Sequence, residues 1–255
     1  MNEEHIPRLV GHRGYMHRYP ENTWLGLEAA LKAGACWIEF DLQMCADGRF
    51  ILLHDADFQR TANAPVSVFN SNTEQLMAIS VHEPARLGDR YAPVPVTDLD
   101  TVLLKLPAFP KARAMVEIKQ ESLDRWGLER VMDALLVKLT PCHSQCTLIS
   151  YSHQALRYTR ERSSIDIGWV LGAYDREHFS RAKLLKPQFL ICNEGKIPPP
   201  QTPWSGTWQW MLYDISDPAL ALQWAACGIE LIETRAIGTM LQDPILARKA
   251  CPHAI

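Results

Sequence analysis

The side chains best suited to chemistry are concentrated between Val10 and Asp55. Gly11-His12-Arg13-Gly14 is followed by Pro20-Glu21-Asn22-Thr23, then by the acids of Ile38-Glu39-Phe40-Asp41, then by His54-Asp55. On a strand, residues two apart share a face, so Glu39 and Asp41 look out together while Ile38, Phe40 and Leu42 look the other way. Two carboxylates ~4 Å apart repel by ~1 to 4 kcal/mol between water and a protein surface. A bound divalent cation is the simplest compensation.

Met44-Cys45-Ala46-Asp47-Gly48-Arg49 carries the turn signal that brings His54 back to these acids, because Asp-Gly between apolar runs marks a hairpin. A turn centred on Asp47 and Gly48 sets Asp41 opposite His54, and a three-residue loop slips the pairing by one. Met115-Val116-Glu117-Ile118-Lys119 places a third acid at the end of an apolar strand. Glu39, Asp41 and Glu117 together make an oxygen-rich site for a hard cation, Mg²⁺ or Ca²⁺. His12 and His54 are the candidate proton-transfer pair, since imidazole accepts and donates near neutral pH. The metal and Arg13 could together neutralise an anionic group held beside these acids.

Lys119 shares a strand face with Glu117 and is a candidate phosphate or carboxylate partner. Trp210 and Tyr213, at a late strand end, are candidates for an aromatic wall, with core packing as the competing role. Arg235, just beyond the last strand run, could add positive charge near a bound anion. His17 lies close enough to His12 to reach a substrate. His5, His82, His143, His153, His178 and His253 are expected in solvated positions.

Positioning these groups requires strand ends on one side of a sheet. Apolar runs at Arg8 to Gly11, Trp37 to Met44, Phe50 to Leu53, Ala114 to Ile118, Thr147 to Tyr151, Ile165 to Leu171, Phe189 to Cys192, Trp208 to Tyr213 and Ile229 to Glu233 read as strands. Helical patterns fall between most of them: Asn22 to Ala33 with an Asn22 cap, Leu123 to Leu139, His153 to Arg162, Arg176 to Leu184 and Pro218 to Cys227. The alternation predicts an α/β (β/α)₈ TIM barrel forming a single domain over residues 1–255. Phe50 to Leu53 is the ninth run. It follows the preceding strand too closely for a crossover helix, so it is an antiparallel excursion.

Residues 56–97 fit no repeat and read as an insertion over the catalytic face, with a capping box at Ser71 and Glu74. Thr97-Asp98-Leu99-Asp100 starts the next helix.

Apolar residues make up 47% of the chain, enough for a large core, and the net charge of -3 with no basic stripe argues against nucleic-acid binding. Seven scattered cysteines suit reduced thiols. Cys142-His143-x-x-Cys146 has no matching second half for zinc and reads as a turn and strand start. The acidic N-terminal stretch, without a signal-like or bilayer-spanning apolar run, predicts a cytoplasmic protein with no stable membrane insertion.

His12-Arg13-Gly14, Pro20-Glu21-Asn22-Thr23, Glu39-x-Asp41, Asp47-Gly48, His54-Asp55, Arg60-Thr61 and Glu117-Ile118-Lys119 resemble, in order and spacing, the glycerophosphodiester phosphodiesterase family. The resemblance implies Glu39, Asp41 and Glu117 as metal ligands, His12 and His54 as general acid and base, and an insertion that shapes the entrance. It implies a metal-dependent hydrolase taking a small glycerophosphodiester to sn-glycerol 3-phosphate and an alcohol. The rival readings are lysophospholipase D-type hydrolysis of a lipid-bearing diester, or a catalytically silent phosphate-binding barrel. Tyr213-Asp214 and Thr234-Arg235 depart from the family's late Asn-Asp and Thr-Asp, which bears on the alcohol accepted.

Overall fold

The computed structural model describes residues 6–198 and 202–251. His5, His253, the acidic N-terminal stretch and Pro199-Pro200 lie outside the described residues.

Among the described residues eleven strands form: β1 (Arg8–Gly11), β2 (Trp37–Met44), β3 (Phe50–Leu52), β4 (Asp57–Phe58), β5 (Ala64–Ser67), β6 (Arg113–Ile118), β7 (Cys146–Ser150), β8 (Asp166–Val170), β9 (Phe189–Asn193), β10 (Gln209–Tyr213) and β11 (Leu231–Thr234). Parallel pairing runs β1, β2, β6, β7, β8, β9, β10, β11 and back to β1, which closes an eight-stranded barrel. Helices at Trp24–Lys32, Leu99–Lys105, His153–Arg162, Arg176–Leu185 and Pro218–Ala226 cover it, and a 3₁₀ turn at Glu194–Lys196 follows β9.

Where the expected elements shift, local chemistry explains it. The first helix is capped by Thr23, whose hydroxyl accepts from Gly26 N–H, while Asn22 takes a left-handed φ of 52° and serves elsewhere. The single helix expected over Leu123 to Leu139 is two, Gln120–Trp126 and Leu128–Leu139, broken at Gly127 with φ 85° and ψ 142°. The capping box falls one residue on, between Asn72 and Gln75.

The β2–β3 pairing matches Leu42 with Leu52 and Met44 with Phe50, so the hairpin has a three-residue loop, Ala46 to Gly48. Gly48 at φ 80° closes it, as that loop type requires. Asp41 therefore faces Leu53 rather than His54, and His54 lies one residue beyond.

Strand alternation divides the barrel into an outer apolar layer against the helices and an inner floor. Val10, Trp37, Met115, Ile149, Met211 and Leu231 belong to that floor. Two residues further along the same strands stand His12, Glu39, Glu117, Tyr151, Tyr213 and Glu233, all lining one pocket at the carboxyl ends. A two-residue period thus converts an apolar plug into a polar mouth.

Residues 57–98 carry the β4–β5 pair, three short helices and a separate apolar cluster around Phe58, Val68, Leu76 and Val96. Glu83 Oε1 accepts from Glu21 N–H at 2.6 Å, and Arg86, forked onto Glu83, donates to the carbonyls of Met16 and Tyr19. These contacts tie the segment to the β1 loop that carries Arg13.

Cys36 and Cys251 form a disulfide across 215 residues, with Cα atoms 5.1 Å apart, which corrects the expectation that every thiol is reduced. Spacing alone could not show it, because the partners meet only when the chain end returns to the amino-terminal face of the barrel. Cys45, Cys142, Cys146, Cys192 and Cys227 are free, and burial pushes the Cys146 thiol up to about 12. Cys142 ends a 3₁₀ turn and Cys146 begins β7, as expected for a structural segment. Among the described residues no helix is long and apolar enough to cross a membrane.

Candidate active site

Glu39 and Asp41 are held within β2, each 2% exposed, and Glu117 enters from neighbouring β6 through the register that pairs Asp41 with Glu117. Glu39, Asp41 and Glu117 each offer a carboxylate oxygen, and these atoms lie within 4.8 Å of one another. Glu39 Oε2 accepts the Arg13 backbone N–H at 2.9 Å, while Oε1 is buried with no hydrogen-bond partner. Burial, reinforced by Asp41, Glu233 and Glu117, holds the Glu39 carboxyl well above the usual range. Burial and Asp41 likewise bring Glu117 up to about 7. Asp41 is driven the other way: burial opposes its ionisation, but Arg13, Lys119, His54 and the Asn22 amide outweigh it.

Asn22 and Arg13 reach these acids through strained backbone. Arg13 has φ 49° and Asn22 φ 52°, and the Asn22 N–H donates to the Arg13 carbonyl at 3.2 Å. Between them Gly14 sits at φ 83°, where a Cβ would fall 2.5 Å from Gly26 C. Only glycine lets this loop close onto the first helix.

Arg13 Nε lies 3.0 Å from Asp41 Oδ2, and its Nη1 donates to Glu21 Oε1 at 2.8 Å. Lys119 Nζ donates to Glu117 Oε1 at 2.9 Å and lies 3.4 Å from Asp41 Oδ1. Each of the two cations lines the pocket while neutralising acids beneath it.

His12 and His54 stand on the pocket wall. Burial, with help from Arg13, lowers His12 to about 4, against the opposing pull of Asp41 and Asp214, so its ring is neutral at pH 7. Its Nδ1 is buried without a hydrogen bond and lies 3.9 Å from Asp214 Oδ1. His54 Nδ1 is 2.8 Å from Asp55 Oδ1.

Most of the expected group therefore converges: His12, Arg13, Glu39, Asp41, His54, Glu117, Lys119, Tyr213 and Arg235 share one pocket. Trp210 does not join it. Even-numbered Trp210 takes the outer face of β10, 3% exposed, where its Nε1 donates to the Trp204 carbonyl at 2.9 Å. The inward positions belong to Met211 and Tyr213, and Tyr213 shares a 2.9 Å hydroxyl contact with Tyr151. His17 is exposed and contributes its backbone N–H to the Arg235 carbonyl at 2.9 Å.

Tyr151, Asp214 and Glu233 also line the pocket, though no sequence motif singles them out. Glu233, 4% exposed on β11, has an oxygen within 4.8 Å of ligand atoms of His12 and Glu39. The signal was the one used for Glu117, an acid at the carboxyl end of an apolar strand. Asp214, at φ 68°, accepts from Arg235 Nε at 3.0 Å and lies on the His12 side of the mouth.

The fold and the mouth define a (β/α)₈ barrel protein with an acid-rich, histidine-flanked pocket at the carboxyl ends of its strands. A model of the glycerophosphoryl diester phosphodiesterase family matches residues 12–186. The chain belongs to that family. It is 32% identical over 159 residues to a glycerophosphodiester phosphodiesterase of Bacillus subtilis, covering 58% of this chain and 53% of that one. It is 28% identical over 152 residues to an uncharacterized protein of the same organism, covering 59% and 60%. With a Bacillus altitudinis glycerophosphodiester phosphodiesterase it shares 41% identity over 71 residues, 28% of this chain and 29% of the relative. The chain thus spans 60% or less of the length of these curated relatives.

Solved structures of similar fold include an Oleispira antarctica phosphodiesterase in complex with the product sn-glycerol-3-phosphate. It has TM-score 0.79 and 18% identity, with 93% of this chain and 96% of that one covered. Agrobacterium tumefaciens glycerophosphodiester phosphodiesterase superposes with TM-score 0.72 at 19% identity, covering 93% and 100%.

Proposed function

We propose that this protein is a metal-dependent phosphodiester hydrolase that cleaves glycerophosphodiesters to sn-glycerol 3-phosphate and an alcohol. The convergence of His12 and His54 on one pocket with the Glu39, Asp41 and Glu117 carboxylates carries the reading. Family membership and the relatives' names support the substrate class.

The residues suit a hard divalent cation, Mg²⁺ or Ca²⁺. Their donors are all oxygens, Glu39 Oε1 is a buried acceptor without a partner, and the crowded carboxyls resist ionisation without a compensating charge. Glu39, Asp41 and Glu117 would hold the metal, which would supply Lewis-acid polarisation of the phosphoryl oxygens. Arg13 and Lys119 border the same space and draw the anionic diester toward it. Neutral His12 starts as a proton acceptor, which leaves the complementary transfer to His54. The Nδ1 contact with Asp55 orients the His54 ring and leaves Nε2 for that transfer. Of the two aromatic candidates, Tyr213, with Tyr151, provides the wall, and Arg235 stands at the mouth where it meets the departing alcohol.

The test is glycerol 3-phosphate release from glycerophosphocholine and glycerophosphoethanolamine by metal-stripped protein, with Mg²⁺, Ca²⁺ or chelator added. Metal-restored release is expected. Folded protein that releases none with any metal refutes the reading.

A further inference from the structure

The two histidine-bearing loops are joined behind the pocket by one residue that does not enter it. Arg60, on the short Gln59–Ala62 helix, places both terminal nitrogens on Glu21, donating to Oε2 and Oε1 at 2.7 Å each. Its Nε donates to Asp55 Oδ2 at 2.8 Å. Glu21, only 3% exposed, also accepts from Arg13, and the other oxygen of Asp55 contacts His54 Nδ1. A continuous chain of charge-assisted contacts therefore runs His54, Asp55, Arg60, Glu21, Arg13, Asp41.

We propose that Arg60 is a positioning residue that sets the geometry of His54 through Asp55 and of Arg13 through Glu21, and so determines turnover without touching substrate. The inference rests on the function proposed above for His54 and Arg13.

Three features support it. Arg60 does not line the pocket, whereas His54 and Arg13 both do. All three contacts use the planar guanidinium fork, a geometry that a point-charge ammonium cannot reproduce. Without Arg60, Asp55 loses the partner that turns its second oxygen toward His54, and Glu21 keeps a single cation in a buried position. Asp55 would then rotate, and the His54 ring would lose the hydrogen bond that selects its Nδ1–H tautomer. A misplacement of ~1 Å costs on the order of 10²-fold in rate.

The experiment uses the full-length, metal-loaded protein. Arg60→Ala is expected to lower kcat about 100-fold with KM changed less than about threefold. Arg60→Lys is expected to recover part of that loss, since an ammonium restores charge but not the fork. Histidine ¹⁵N NMR gives a readout independent of turnover: wild-type His54 should show a fixed Nδ1–H tautomer, and Arg60→Ala an averaged one. Wild-type kcat in Arg60→Ala, or an unchanged His54 spectrum, overturns the proposal. If Arg60→Ala does not fold, Arg60→Lys decides, and a kcat loss there that only tracks the loss of folded protein is equally fatal. Should the wild-type protein hydrolyse no glycerophosphodiester, the function proposed above fails, while the tautomer measurement still decides the role of Arg60.

Discussion

Asn22 and Asp41 exchange two hydrogen bonds: the Asn22 amide nitrogen donates to Asp41 Oδ2 at 2.9 Å, and the Asp41 backbone N–H donates to Asn22 Oδ1 at 3.0 Å. The pair locks the strained β1 loop onto β2 and holds one carboxylate of the acid cluster in place. Asn22→Ala removes both bonds and leaves a left-handed alanine, so unfolding in urea should show a loss of about 2 to 4 kcal/mol. Asn22→Gly tolerates the backbone and should lose less. Both variants should bind metal about 10- to 100-fold more weakly. Equal stability of Asn22→Ala and wild type would remove the pair from the account.

Removal of either imidazole should stop the chemistry while sparing the fold. His12→Ala and His54→Ala are each expected to lower kcat by at least about 100-fold. Steady-state kinetics on folded variants decides it. Near-wild-type turnover in one of them would take that histidine out of the mechanism.

Metal and protons should compete at the acids. Glu117 is raised to about 7, so below that pH a proton must leave before the carboxylate can bind a cation. Calorimetric metal affinity should rise about tenfold per pH unit per displaced proton between pH 5.5 and 7. A flat profile would show that these carboxyls are not the ligands.

The same groups set the stability of the metal-free protein. Glu39, Glu117 and Glu233 all have raised values, so their contribution is full below the ordinary glutamate range and lost as pH rises. His12 is depressed to about 4, so its contribution is lost as pH falls from 6.5 toward 4. Above pH 6.5 only the carboxyls act, and chelated protein should melt at lower temperature at pH 8 than at pH 6.5. Glu233→Gln should flatten that slope. An unchanged slope would place the Glu233 charge outside the cluster.

The Cys36–Cys251 disulfide closes nearly the whole chain into a loop. Reduction, or Cys36→Ser, should lower stability by about 2 to 4 kcal/mol, read as a shift of the denaturant midpoint. Turnover should be unaffected, because the bond lies at the amino-terminal face, away from the mouth. Identical midpoints for oxidised and reduced protein would mean the bond does not form.

Sequence by itself determined what short-range physics controls. The eight barrel strands and most helices follow from apolar periodicity, and the pairing of Glu39 with Asp41 follows from a two-residue repeat. Glu117 at a strand end followed from the same logic, and the Asp47-Gly48 turn returned His54 to the site whichever loop length applied. Tertiary structure alone decided what depends on facing and on long-range register. Trp210 and Tyr213 lie three residues apart, so they face opposite sides of β10, and only barrel closure shows that the inside position is Tyr213. Glu233 is a strand-end acid like Glu117, but it joins the mouth because β11 pairs with β1 and comes within reach of His12. The Arg60 contacts and the Cys36–Cys251 bond unite segments far apart along the chain. No local propensity encodes such meetings, because they arise only when the closed sheet fixes where each loop must lie.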